Sequence, residues 1–280
     1  MTTRIAGRSY GSCTDYDGDG WMDLCIIEGT VPNAPGQTQL YHATGHGTFT
    51  RHTLGTPAFM LNAVSWADYD NDGDPDLFVS AITDPSRLWR NDGRGQFTTD
   101  NLGLPTDGDT LHAAWADYDN DGDLDIALGS FANTRLYRNE GGARFVPDAT
   151  LAGAYGFPTW ADYDNDGHVD LLAAIGQVSP QKAALYHNNG DGTFTRVSEV
   201  FTEQADSWMG SAWGDYDNDG FLDVLLLHTG PRIRLYHNLK NANHWLKFTL
   251  IGTASNRDAI GAKVRVLATI GGSPSGNCAR

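Results

Sequence analysis

The sequence predicts an all-β protein built as a β-propeller, and three observations carry that expectation. The string D-x-D-x-D-G-x-x-D occurs five times, beginning at Asp15, Asp68, Asp117, Asp162 and Asp215. Successive starts lie 53, 49, 45 and 53 residues apart, and self-similarity at such a period marks a repeat architecture. Each period divides into four short runs, separated by Gly, Asn, Asp and Pro, that are too brief and too rich in β-branched and aromatic residues for helices. Four strands per unit, repeated in tandem, describe propeller blades of antiparallel sheet.

The elements follow in a fixed order. A first strand ends on an aromatic two residues before the loop: Trp66, Trp115, Trp160 and Trp213, with Cys13 in the first unit. The aspartate loop leads into a second strand, as in Leu77-Phe78-Val79 and Val224-Leu225-Leu226-Leu227. A third carries Leu40-Tyr41-His42, Leu88-Trp89-Arg90-Asn91, Leu136-Tyr137-Arg138-Asn139, Leu185-Tyr186-His187-Asn188 and Leu235-Tyr236-His237-Asn238. A Gly-containing turn then precedes a fourth strand opened by Phe49, Phe97, Phe145 or Phe194, and the fifth unit ends instead on Trp245-Leu246-Lys247-Phe248. The blades fall near residues 8–54, 60–103, 110–150, 155–201 and 207–251. Repeats occupy 1–242, with a separate tail at 243–280.

Each loop offers carboxylates at positions 1, 3, 5 and 9 around a Gly at position 6, the pattern that wraps a hard oxygen-seeking cation, Ca²⁺. The predicted ligands are Asp15, Asp17, Asp19 and Asp23; Asp68, Asp70, Asp72 and Asp76; Asp117, Asp119, Asp121 and Asp125; Asp162, Asp164, Asp166 and Asp170; and Asp215, Asp217, Asp219 and Asp223. The backbone carbonyl of position 7 adds a fifth donor from Trp21, Asp74, Asp123, His168 and Phe221. Because only the backbone is needed there, the side chains of Asp74 and Asp123 are expected to face solvent. An EF-hand would require Glu at position 12, where Ile26, Val79, Leu128, Ala173 and Leu226 stand instead. About five structural Ca²⁺ ions are expected, their binding energy becoming folding energy.

The unit W-A-D-Y-D-N-D-G-x-x-D, an apolar strand, L-Y-R-N and G-x-G-x-F resembles the FG-GAP/VCBS repeats of integrin α-subunit propellers and many secreted bacterial proteins. The tail from Asn243 to Val266 is similar to the start of the ASPIC/UnbV domain that follows such repeats in cartilage acidic protein and its bacterial relatives. Two departures stand out: Cys13 and Gly18 replace the aromatic and the loop Asn of the first unit, and Gly271 to Arg280 does not continue the tail domain. The resemblance implies an extracellular or cell-surface protein, and relatives with seven blades. The five units therefore either close a ring or form part of a larger one, and the tail reads as truncated.

Composition narrows the function classes. The net charge is −16, but the loops hold 20 of 35 acidic residues, so the acidity is mostly ligand. No Lys/Arg cluster exists to neutralise phosphates, which argues against nucleic acid, and no apolar stretch is long enough to span a bilayer. The first residues lack the apolar centre of a signal peptide, so a lost leader is expected. Cys13 and Cys25 flank the first loop symmetrically and are expected to face each other, as an apolar pair or a disulfide.

The leading functional expectation is a non-catalytic, calcium-stabilised binding module for protein or glycan. Its ligand would meet the face opposite the calcium loops, where Arg8, Asn62, His112, Tyr155 and Trp208 stand near the central channel and the loops Thr30–Gln39 and Gln177–Lys182 form a rim. A propeller-scaffold enzyme acting on polysaccharide, of lyase or hydratase type with His112 and Tyr155 as acid–base groups, is the alternative. A structural spacer is the third.

Overall fold

The computed structural model describes residues 10–28, 35–45, 47–58, 60–141, 144–174, 183–197, 200–201, 208–228, 233–245, 266–270 and 273–277. Among them every regular element is a strand, and no helix is long and apolar enough to cross a membrane. The first antiparallel sheet joins β1 (Tyr10–Thr14), β2 (Asp23–Glu28), β3 (Gly36–Ala43) and β4 (Phe49–Ala58) in that order. The second joins β5 (Leu61–Ala67), β6 (Asp76–Ala81), β7 (Arg87–Asn91) and β8 (Phe97–Asp100). β9 (His112–Ala116), β10 (Asp125–Gly129), β11 (Asn133–Asn139) and β12 (Phe145–Ala152) form the third. The fourth holds β13 (Phe157–Ala161), β14 (Asp170–Ala174), β15 (Ala184–Asn188) and β16 (Phe194–Val197). The fifth has three described strands, β17 (Trp208–Gly214), β18 (Asp223–His228) and β19 (Ile233–Tyr236). A hairpin, β20 (Val266–Ile270) and β21 (Ser273–Asn277), lies in the tail.

In all five sheets the aspartate loop connects the first strand to the second, as the repeat predicts. Successive first strands β1, β5, β9, β13 and β17 lie side by side, so the sheets are arranged like propeller blades. Among the described residues β17 shows no comparable packing against β1, so they trace an arc of five blades with no strong closing contact between its ends.

The second strands of the middle three blades are largely apolar because both faces are covered. The residues one and three places after the loop's last Asp face the preceding blade, and those two and four places after it face the next. Thus Leu77 and Val79 pack on Cys25 and Ile27 of the first blade, whereas Phe78 packs on Ile126 and Leu128 of the third. Ala127 meets Leu171 and Ala173, and Leu172 and Ala174 meet Val224 and Leu226. The third-strand leucines Leu40, Leu88, Leu136 and Leu185 face forward in the same way and are buried. Leu235 occupies the equivalent place in the fifth blade, has no following blade among the described residues, and is 54 % exposed.

An aromatic trio closes each of the first three seams. The loop Tyr of one blade stacks on the Trp of the next and meets the Phe that opens its fourth strand: Tyr16–Trp66–Phe97, Tyr69–Trp115–Phe145 and Tyr118–Trp160–Phe194. The indole N–H of Trp115, Trp160 and Trp213 reaches back to Ser65, Ala114 and Thr159 on the preceding first strand. At the fourth seam, where no Phe-led fourth strand is described, a cavity of about 360 Å³ lies beside Tyr163, Trp213, Leu185, Phe201 and Tyr236. Trp245 is half exposed, and Leu246 to Phe248 lie outside the described residues.

One expectation is corrected. The register of the first hairpin sets Cys13 opposite Leu24 and Cys25 opposite Ser12, so the two cysteines do not face each other. Side chains alternate faces along a strand, and a one-residue difference in register sends them to opposite sides. Cys13 is accordingly exposed, Cys25 is buried, and both are free. The same register pairs Trp66 with Leu77, Trp115 with Ile126 and Trp160 with Leu171.

The contrast between equivalent leucines is measurable. Leu136→Ala, at a site 1 % exposed, is expected to cost about 2–5 kcal/mol in denaturant unfolding, whereas Leu235→Ala stays within about 0.5 kcal/mol.

Candidate metal centre

Each loop is held in shape by its own carboxylates. The position-1 aspartates Asp15, Asp162 and Asp215 accept the N–H groups of positions 5 and 6, and Asp117 accepts that of position 6. At position 3, Asp17, Asp70, Asp119 and Asp217 accept the position-5 N–H. At position 5, Asp19, Asp72, Asp121, Asp166 and Asp219 accept the N–H of Trp21, Asp74, Asp123, His168 and Phe221 in all five loops. The position-5 carboxylates spend one oxygen each on these Asx turns, whereas Asp15, Asp162 and Asp215 at position 1 use both. Position 4 sits in the left-handed region, φ 60° at Asn71 and 61° at Asn120, which Asn and Gly tolerate and explains why Gly18 can replace the Asn of the first loop.

The last aspartate has a second task. Asp23, Asp76, Asp125, Asp170 and Asp223 are all buried. One oxygen accepts the N–H of the loop Tyr (Tyr16, Tyr69, Tyr118, Tyr163, Tyr216) at 3.1–3.2 Å. The other accepts a third-strand N–H, from Ala43, Asn91, Asn139, Asn188 and Asn238, at 2.7–2.8 Å. Burial, reinforced by neighbouring carboxylates and only partly offset by those N–H groups, raises Asp76 and Asp125 to about 8 and Asp170 to about 7. Asp23 is raised for the same leading reason.

The oxygens converge as a cation requires. Asp15, Asp17 and Asp19, and likewise Asp68, Asp70 and Asp76, offer atoms within 4.8 Å of one another. Asp17, Asp23 and His42 do so too, as do Asp164, Asp170 and His187, and Asp217, Asp223 and His237. Asp164 Oδ1 is buried without a hydrogen-bond partner, an orphaned anionic oxygen that a bound ion would satisfy. The donor set is hard oxygen, with one imidazole in three loops, and it fits Ca²⁺.

Of the position-7 side chains, Asp74 and Asp123 are half-buried rather than solvent-facing. Asp123 accepts a bond from Asn71 of the preceding blade at 2.6 Å, and Asp74 lies over the turn at Gly93. His168 meets Asn120, and a Cβ on Gly190 (φ +73°) would strike its ring. Trp21 is half exposed and Phe221 buried.

Sequence reading missed the asparagine that closes each third strand. Asn91, Asn139, Asn188 and Asn238 each donate from Nδ2 to the carbonyl of the preceding blade's loop Tyr, at 2.6–2.8 Å. The same amide also donates to the carbonyl at position 8 of its own loop. A second tie runs from the position-4 amides of Asn71, Asn120 and Asn165 to the position-6 carbonyls of the following loops. The signal was present in the recurrence of L-Y-x-N; the first blade has Ala43 there.

The residues proposed for the opposite face stand at or near the starts of first strands, but along seams. Asn62 donates to the Leu111 carbonyl. His112 packs on Phe157 at 5.8 Å, its burial lowers its pKa, and its Nδ1 is buried without a partner. Tyr155 packs into the apolar cluster between the fourth and fifth blades. Trp208 pairs in register with His228. Arg8, residues 30–34 and residues 177–182 lie outside the described residues.

A tandem array of sheets with one aspartate loop per blade defines the class of protein, a repeat protein of propeller type. The FG-GAP-like repeat family model matches residues 15–79, 68–128, 117–173 and 162–226, and the chain belongs to that family. No curated protein matches it. Among solved structures it is similar to an Agrocybe aegerita lectin described for recognition of non-reducing terminal N-acetylglucosamine (17 % identity, TM-score 0.48), covering 82 % of this chain and 66 % of the lectin. The V. cholerae biofilm matrix protein Bap1 matches at 18 % identity and TM-score 0.46, over 79 % of this chain and 35 % of Bap1. A Lactobacillus plantarum protein matches at 13 % identity and TM-score 0.48, over 82 % of this chain and 70 % of its own.

Two expectations follow. Asn139→Ala strands a buried Tyr69 carbonyl and should cost about 1–3 kcal/mol in chemical denaturation. With chelator present, the raised carboxyls mean that the folded state holds protons more tightly than the unfolded chain. Stability should therefore fall as pH rises from about 4 to 8, read as a lower melting temperature at the alkaline end.

Proposed function

We propose that this chain is a calcium-binding, non-catalytic propeller module that recognises a protein or glycan outside the cell. The observation that carries the reading is the five-fold repetition of an aspartate loop, with oxygens of three carboxylates gathered within 4.8 Å of one another in the first and the second. When bound, Ca²⁺ would supply the positive charge that lets these carboxylates stay ionised together. Asp15, Asp68, Asp117, Asp162 and Asp215 and their partners at positions 3, 5 and 9 would hold it. Extracellular modules bind calcium at roughly 10⁻⁴–10⁻³ M, which suits a protein working where the ion is abundant. The packing of His112 on Phe157 and of Tyr155 into an apolar cluster supports a binding role over acid–base chemistry by that pair.

The test is calorimetric calcium titration with melting curves in Ca²⁺ and in chelator. About five ions per chain and a melting temperature at least about 10 °C lower in chelator are expected, since ligands that bind only the folded state stabilise it by mass action. Absence of binding at millimolar calcium would sink the proposal. Asp166→Asn should remove one ion from the stoichiometry.

A further inference from the structure

The residue that precedes Ala43, Asn91, Asn139, Asn188 and Asn238 is not the same in every blade. His42, His187 and His237 serve the first, fourth and fifth loops, with Nδ1 3.2, 3.4 and 3.7 Å from the nearest oxygen of Asp17, Asp164 and Asp217. Arg90 and Arg138 serve the second and third. Arg138 pairs with Glu140 at 2.6 Å, and its charge reaches Asp119 only through space, without a hydrogen bond. Arg90 does not turn away. Its Nε donates to Asp70 Oδ2 at 2.7 Å, and Nη2 stands 3.5 Å from Asp72 Oδ2. Because Asp70 Oδ1 already accepts the N–H of Asp72, both oxygens of this predicted ligand are engaged.

We propose that Arg90 makes the second loop the weak calcium site of the five, the one that fills and empties while the others stay loaded. This inference rests on the reading of the loops as calcium sites. A guanidinium cannot shed its charge in a protein, so it competes permanently with an incoming cation for the same carboxylates. A divalent ion about 5 Å from a fixed positive charge is disfavoured by roughly tenfold even at water's dielectric constant. The same charge neutralises part of the loop without metal, so the second loop keeps its shape when empty. Lys240 stands 3.2 Å from Asp219 in the fifth loop, but it is a single contact from a flexible stem, whereas the planar guanidinium of Arg90 spans two carboxylates.

The experiment is calcium titration of the whole chain and of R90Q, with melting curves to show that the variant folds. The wild type should bind one ion at least tenfold more weakly than the rest, and R90Q should bring that site into the tight class. D72N should abolish the weak ion while leaving the tight ones. Five equivalent ions in the wild type, or a weak ion that persists in R90Q, overturns the proposal while leaving calcium binding intact. No binding by any variant overturns both readings together.

Discussion

The buried carboxylate that ends each loop is the constraint on which the rest of the structure depends. Asp76, Asp125 and their equivalents take one N–H from the start of the loop and one from the third strand, so a single side chain fixes the loop and joins the second strand's start to the end of the third. A carboxylate in that position is expensive to desolvate, and its raised pKa records the cost. The cost is tolerated because the anchored third strand places its terminal Asn against the preceding loop. Local loop chemistry and blade-to-blade docking thereby become one problem.

Position within the array changes what the same residue does. Tyr16, Tyr69 and Tyr118 are buried under the Trp of the next blade, whereas Tyr216 is 55 % exposed. On the first blade, Cys13 and Ala43 replace the Trp and Asn that elsewhere grip a preceding blade. The two ends of the arc are therefore unlike: the first blade lacks the gripping residues, and the fifth retains the surface to be gripped.

Much of this was legible in the sequence, for physical reasons. A loop that must hold carboxylates around a centre can tolerate few substitutions, so its period revealed blade spacing, strand order and candidate ligands. The apolar runs at Leu77–Val79 and Ile126–Leu128 marked strands covered on both faces. Other features depend on a neighbour 50 or more residues away. The bond from Asn139 to the Tyr69 carbonyl is invisible to local pattern. The Cys13–Cys25 expectation missed because symmetry of sequence spacing does not fix hairpin register. The pair differs by one position, and that position decides the face.

The seams between blades carry a thermodynamic consequence. Among the described residues each blade packs chiefly on the one before and the one after, so the array approximates a one-dimensional chain of units coupled by nearest-neighbour terms. In such a chain an interior unit is held twice and an end unit once. Opening therefore starts at the ends and travels inward, and amide protons in β10 should outlast those in β2 and β18. The fifth blade, whose forward face meets no further blade among the described residues, is where fraying is expected to begin.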